Sequence, residues 1–502
     1  MGAVLWSPVR RPLAVAGVLT LLCAAIALTA CGTQTQPADP PATFTTGAPG
    51  RVIPSGFVGL STEMWAIPQL AGEDPDAPDL AFEQLVRNLA PGQRPVIRLG
   101  GDSTDWTWWP VPGSRKPLGI RYTLTPGWVQ IIKAFAHAIN ARLLLGINLE
   151  ANSRRLASVE AKQLVAGLGA GSVDALEIGN EPELYGSFGW YRTAGGHEVR
   201  GRPRSYDELD FENDFAAFSK AMPSVPLAGP SSGSPTYEGQ LGSFLRRERR
   251  VKIATVHAYP LKHCVATNHV TIGELLANSS SDGLAANVAP LAAIAHVHHL
   301  PLRIDEINAI SCGGERGVSD TYATALWSLD ALFALARAGV DGVNIHTPPR
   351  SNNQMFTVTQ TNGVWEVYVH PVYYGMLMFA QATPPGSRLE RISGTSAAGL
   401  SSWATLGRDG RRRVVVINKN TRNSRLVNVN APAGASTATL ELMQAPSVTA
   451  QTGITIGGQG FGAQTSTGEL AGTPRTTTLK PSKGRYTFTL PAASAALLTI
   501  GP

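Results

Sequence analysis

Glu181 and Glu306 are the two residues in this chain whose type and setting best suit a reacting pair. Each closes a short apolar run: Leu176-Glu177-Ile178-Gly179-Asn180-Glu181-Pro182 in one case, Leu302-Arg303-Ile304-Asp305-Glu306 in the other. Two carboxyls held about 5 to 5.5 Å apart across a sugar ring cleave a glycosidic bond with retention, one giving a proton to the leaving group while the other attacks the anomeric carbon. On this reading Glu181 is the general acid/base, Glu306 is the nucleophile, and Asn180 offers an amide to the sugar 2-hydroxyl. The plainer alternatives are a solvated glutamate in a helix-start turn for Glu181 and a buried ion pair with Arg303 or Arg98 for Glu306.

Residues 181 and 306 are 125 positions apart, so only a closed architecture brings them together. Between residues 57 and 347, apolar runs with polar ends alternate with longer helical patterns, the signature of βα units around a parallel sheet. Candidate strands are Gly56 to Ser61, Val96 to Gly100, Leu143 to Leu149, Ala175 to Asn180, Val225 to Gly229, Ile253 to Tyr259, Leu302 to Glu306 and Val340 to His346. Their number and spacing predict a (β/α)8 barrel, in which catalytic groups stand at the carboxyl ends of strands. A helix follows the seventh strand, with Ala323, Leu326, Trp327, Asp330, Leu332, Phe333 and Ala336 along it, Ser319 as its cap and Gly339 as its stop. Pro371 to Gln381 reads as the closing helix. The barrel is expected over residues 57–383. From 384 to 502 the pattern turns to period-two strands, as in Arg413 to Asn418, Leu426 to Asn430, Thr439 to Met443 and Tyr486 to Leu490, with Asp409-Gly410 as a hairpin turn. This predicts an antiparallel β-sandwich, to which residues 43–56 add a strand.

Other residues fall at the same rim. Glu63 and Asp105 are placed for sugar hydroxyls and Trp106 for a pyranose face, or equally for a polar loop with a packed tryptophan; Tyr259 is placed to orient the nucleophile by a hydrogen bond, with an ordinary core tyrosine as the alternative. Asn344 and His346 end the eighth strand and are read equally as substrate contacts or structural groups. Glu177 shares strand parity with Glu181 but lies deeper, which suits pairing with Arg98. The ten histidines show no ligand spacing, so neither a metal nor a cofactor is implied. A net charge of +6 spread over 502 residues, with basic runs only at 246–250 and 411–413, argues against a nucleic-acid partner.

The first thirty residues carry Arg10 and Arg11 and then an apolar stretch to Ala30, the layout of an export signal. Leu28-Thr29-Ala30-Cys31 resembles a bacterial lipobox, which predicts lipidation of Cys31 and attachment to the outer face of the cytoplasmic membrane. Residues 31–42 are polar and proline-rich and read as a tether. With Cys23 in the signal and Cys31 lipidated, Cys264 and Cys312 remain, and an exported pair favours one disulfide.

Arg98-Leu99-Gly100-Gly101-Asp102-Ser103, Glu177 to Pro182, and Asp305-Glu306 followed by Gly313-Gly314 and Gly317 to Thr321 resemble glycoside hydrolase family 79, the β-glucuronidase and heparanase family. The likeness spans nearly all of residues 57–380, and the trailing sandwich fits the family's architecture. It implies a retaining β-glucuronidase-type hydrolase acting on an extracellular glycan, with Glu181 as acid/base and Glu306 as nucleophile. The chain departs from the family after the nucleophile strand. Members that bind a glucuronate carboxylate use a tyrosine with adjacent glycine amides there, whereas this chain has Ser311-Cys312-Gly313-Gly314; the amides of Gly313 and Gly314 remain available for an anion. The departure keeps xylosides, arabinosides and galactosides as alternative substrates. A non-catalytic, lipid-anchored glycan-binding protein is the alternative from another class.

Overall fold

A computed structural model describes residues 40–395, 398–435 and 437–502. The expected export signal, Cys31 and nearly all of the tether lie outside the described residues.

Eight parallel strands close into a barrel in sequence order: Val58–Glu63, Val96–Gly100, Arg142–Ile147, Val173–Ile178, Leu227–Ser232, Val251–Ala258, Leu302–Ile307 and Gly342–His346. Every strand expected from sequence is present, with ends displaced by a few residues. The displacement is largest where strands run into rim loops. Closure demands close approaches inside the cylinder. A Cβ on Gly59 would sit 2.3 Å from the Val96 carbonyl oxygen and 2.8 Å from Asn344 Nδ2, so only glycine fits between the first two strands and the eighth.

The helix after the seventh strand spans Tyr322–Arg337; Thr321, not Ser319, holds its N-cap position, without a side-chain capping hydrogen bond. Ser319 lies outside the helix, where its hydroxyl accepts the Glu315 amide at 3.0 Å. This helix has no solvent face: all but its last residue are buried. One side packs on the barrel and the closing helix Val372–Ala382, and the other meets the C-terminal sheet. Asp330 fixes that second contact by accepting from Ser281 and Ser401 hydroxyls, from Trp403 Nε1 at 2.8 Å and from Lys419 Nζ at 2.9 Å.

The C-terminal sheet is a ten-stranded, mostly antiparallel path that folds over on itself as a sandwich. Val414, Val416, Leu440 and Leu498 from one half share a core with Phe44, Val427, Val429, Tyr486 and Phe488 from the other. Alternate residues of the same strands, Val415, Ile417 and Leu497, join the barrel's core. Arg412–Asn418 is therefore covered on both faces over its last five residues, which explains a continuous Val-Val-Val-Ile run in place of strict alternation. Ala42–Val52 enters this sheet between Arg388–Thr395, to which it is antiparallel, and Arg425–Asn430, to which it is parallel. Sequence reading overlooked a hairpin, Phe356–Thr361 with Val364–Val369. Its turn, Asn362-Gly363 with φ of 52° and 81°, is a strong hairpin signal.

Candidate active site

The carboxyl ends of the strands converge on Arg98, whose side chain is fully buried. Its Nε lies 2.7 Å from Glu177 and 3.3 Å from Asp305, and its Nη1 lies 2.7 Å from Glu306 Oε2. Nη2 donates to Asn180 Oδ1 at 2.8 Å and to the Ser231 hydroxyl at 3.1 Å. One rigid fork thus positions residues from the fourth, fifth and seventh strands. Sequence reading had paired Arg98 with Glu177. The structure makes that pair and also the buried Glu306–Arg98 ion pair named as the plainer alternative for Glu306, so one cation holds both carboxyls.

Glu181 follows the fourth strand with φ 45° and ψ 57°, a left-handed conformation that a side chain rarely adopts. Its amide donates to the Ser231 carbonyl at 2.9 Å, and Pro182 begins a short 3-10 turn. These restraints maintain the strained backbone and turn the carboxyl into the cleft, where it is 23% exposed. Glu306 leaves the seventh strand, and its Oε1 accepts the Tyr259 hydroxyl at 2.9 Å, the contact expected for Tyr259. A carboxylate oxygen of Glu181, one of Glu306 and a ring nitrogen of His257 all lie within 4.8 Å of one another.

His257 links Glu181 to Asp305, the neighbour of Glu306. Its Nδ1 is 3.0 Å from Glu181 Oε1 and its Nε2 is 3.4 Å from Asp305 Oδ2. Burial opposes its charge, but Glu306 and Asp305 outweigh that cost and hold the imidazole well above its ordinary pKa. A ring protonated on both nitrogens donates to both carboxylates and has no lone pair for a metal. Glu306 is buried too, which raises its pKa, yet the charges of His346, His257 and Arg98 with the Tyr259 hydroxyl hold it well below the usual carboxylate range. Asp305 is likewise lowered against its burial by His257 and Arg98. Glu177 behaves oppositely: burial, then Asp305, push it up to about 8 despite Arg98, so it keeps a proton near neutrality. The interior therefore sets Arg98, His257 and His346 against Asp305 and Glu306, and holds Glu306 ionised.

His346 extends this network. Its Nδ1 is 2.9 Å from the Ser61 hydroxyl and 3.9 Å from Glu306 Oε2, and its Nε2 is 3.4 Å from Glu63. Glu63 also accepts the Ser103 amide at 2.8 Å. Asp102 is solvent-exposed at the cleft mouth, yet the cleft walls desolvate its carboxyl enough, with the charges of Glu63, Glu181 and Glu306, to push it up to about 7. Asn180, its Oδ1 held by Arg98, keeps its Nδ2 hydrogens free of any acceptor among the described residues.

Four expected substrate contacts are corrected. Asp105 is buried and its oxygens accept the amides of Leu149, Glu150 and Asn180 and the Tyr185 hydroxyl; it braces the rim loops and has no reach to a sugar. Trp106 carries the Arg121 guanidinium at 3.8 Å over its ring, which removes that face from sugar stacking. Asn344 lies deep in the barrel, fully engaged with the Leu60 and Val96 carbonyls and with Arg303. The Gly314 amide points to the Ser311 carbonyl at 3.4 Å, which leaves Gly313 as the amide free of a partner among the described residues. Cys264 and Cys312 form the disulfide. Sequence reading missed Asp102, Ser231 and His257 as members of the site. His257 carried a usable signal, because it stands two residues before Tyr259 and shares its strand face.

A parallel eight-stranded barrel with a pair of strand-end carboxyls, backed by a C-terminal β-domain, defines a glycoside hydrolase. Residues 402–497 match the glycosyl hydrolase family 79 C-terminal beta domain. A beta-glucuronidase of Neurospora crassa is 22% identical over 428 residues, 75% of this chain and 74% of that protein. One from Aspergillus niger is 24% identical over 417 residues, 76% of this chain and 73% of that protein. The crystal structure of a 4-O-alpha-L-rhamnosyl-beta-D-glucuronidase from Fusarium oxysporum superposes with a TM-score of 0.70 at 20% identity, over 91% of this chain and 100% of that one. Within the class, the family-model match and these relatives make the chain similar to glycoside hydrolase family 79.

Proposed function

We propose that this chain is a retaining β-glycosidase that releases a β-linked glucuronic-acid-type sugar from an extracellular glycan. The observation that carries the reading is the approach of the Glu181 and Glu306 carboxylates to within 4.8 Å. That spacing suits direct attack by one of them, whereas an inverting pair stands roughly 6.5 to 9.5 Å apart to admit water. Glu306, ionised by its cationic surroundings, attacks the anomeric carbon as the leaving oxygen takes the proton of Glu181. The resulting glycosyl ester is opened by water, whose proton returns to Glu181, and Glu306 departs as the carboxylate. Asn180 holds the 2-hydroxyl through its Nδ2 donors. A binding protein has no need of two opposed acids at strand ends, which disfavours the non-catalytic alternative.

The β-glucuronidase names of the relatives support the sugar assignment. A neutral sugar such as a xyloside or galactoside is the second reading. It is favoured by Ser311-Cys312 in place of a tyrosine, by the diverted Gly314 amide, and by Asp102 and Glu63 on the cleft wall, which repel a carboxylate when ionised. Export with a lipid on Cys31 completes the proposal. Its support is the Leu28-Thr29-Ala30-Cys31 sequence and a disulfide that suits an oxidising compartment. No helix among the described residues is long and apolar enough to cross a membrane.

The test is kinetic. Glu306→Ala is expected to lose turnover of an aryl β-glycoside and to regain part of it with azide, giving the α-glycosyl azide. A variant as active as the parent ends the proposal. Comparing aryl glucuronide with glucoside, galactoside and xyloside on the parent enzyme decides between the two sugar readings.

A further inference from the structure

Away from the reacting pair, two loops cross at the rim. One follows the sixth strand and carries His263, Cys264 and His269; the other follows the seventh strand and carries Cys312 and Glu315. The disulfide joins them with a Cα separation of 5.1 Å, and the short strands Leu261–Lys262 and Ile310–Ser311 pair beside it. His263 Nδ1 lies 2.7 Å from Glu315 Oε2, and His269 Nδ1 lies 3.5 Å from Glu315 Oε1. One donor atom from each of the three residues falls within 4.8 Å of the others.

We propose that His263, His269 and Glu315 form a binding site for a divalent first-row cation of the zinc class, which clamps the two loops that follow Tyr259 and Glu306. Two imidazoles and one carboxylate are a donor set that zinc takes readily, with a fourth position left for water or another oxygen. With bonds of about 2.0 to 2.1 Å, the donors of a tetrahedral site stand roughly 3.3 Å apart. The separations of 2.7 and 3.5 Å bracket that figure, so closing the site takes only small side-chain movements, and His269, 72% exposed at its side chain, is free to make them.

Two further observations bear on the site. Glu315 Oε2 is buried and, apart from its 2.7 Å approach to His263 Nδ1, accepts no hydrogen bond of acceptable geometry, which leaves its lone pairs open to a cation. His263 Nδ1 donates to the Asn268 carbonyl at 2.7 Å, so the cation takes this nitrogen only as its proton is released, and binding weakens as pH falls. The disulfide bears the cost of bringing the loops together before any cation arrives, which is how preorganisation raises affinity. The six-residue step from His263 to His269 and the distance to Glu315 match no sequence pattern of metal ligands. The proposal departs from the expectation, drawn from histidine spacing, that no metal is implied.

The experiment uses the full chain without an affinity tag, disulfide intact and freed of metal by a chelator. Calorimetric titration with Zn2+ and visible absorption with Co2+ are measured for the parent, His269→Gln and Glu315→Gln. The expected result is one equivalent bound with micromolar or tighter affinity in the parent, a higher thermal midpoint with metal, and at least tenfold weaker binding in each variant. Metal-free His269→Gln should hydrolyse its substrate like the metal-free parent. The proposal is overturned if the parent shows no saturable binding below 1 mM, or if both variants bind as tightly as the parent.

Discussion

Removing the disulfide by Cys264→Ser with Cys312→Ser should destabilise the enzyme by an amount that its loop length sets. The bridge closes a segment with a sequence separation of 48. In the chain-entropy treatment, a loop of that size withdraws roughly 14 cal/mol/K from the unfolded ensemble, or about 4 kcal/mol at 25 °C. Unfolding entropy near 60 °C is about 2.1 cal/mol/K per residue, so over the ~460 residues that follow the tether it approaches 1 kcal/mol/K. The thermal midpoint should then fall by about 4 °C. Differential scanning calorimetry of the parent and the double variant, both under non-reducing conditions, reads this directly. Denaturation followed by thiol labelling should modify neither cysteine in the parent. Equal midpoints within about 1 °C, or full labelling of both parent cysteines, would refute the reasoning. The functional consequence is local, because the bridged loops lead from Tyr259 and Glu306. The variant should therefore lose activity below its unfolding transition as those loops loosen.

Asp330→Ala should be more damaging than its distance from the cleft suggests. It strands the Lys419 ammonium in a buried contact at a cost of about 3 to 5 kcal/mol, read as a lowered urea midpoint, whereas Asp330→Leu combined with Lys419→Met should recover most of the loss. Asp102 gives a pH signature. Its folded pKa of about 7 stands above the ordinary 3.8, so the fold retains a proton that the unfolded chain has released, and stability declines as pH rises from about 4 through about 7. Asp102→Asn should raise the thermal midpoint at pH 8 and leave it nearly unchanged below pH 4; an equal effect at both would contradict the assignment.

Local sequence determined a large part of this protein. Eight apolar runs with polar ends were readable as barrel strands because strand burial depends on residue type and alternation within a few positions. Glu181 and Glu306 were readable because each sits at the end of such a run. Glu177 as a partner of Arg98 followed from strand parity, Tyr259 as a partner of Glu306 from residue type, and the disulfide from cysteine count. Tertiary structure alone decided how the polar groups are spent. Asp105, Trp106 and Asn344 have types suited to sugar binding, yet backbone amides, Arg121 and buried carbonyls claim them, and those partners come from distant segments. His257 came to bridge Glu181 and Asp305 only once the fourth to seventh strands stood side by side. The charge states follow the same rule. A carboxylate's proton affinity depends on burial and on charges within a few ångströms, so adjacent Glu306 and Asp305 are both held ionised while Glu177, on the same arginine, keeps its proton.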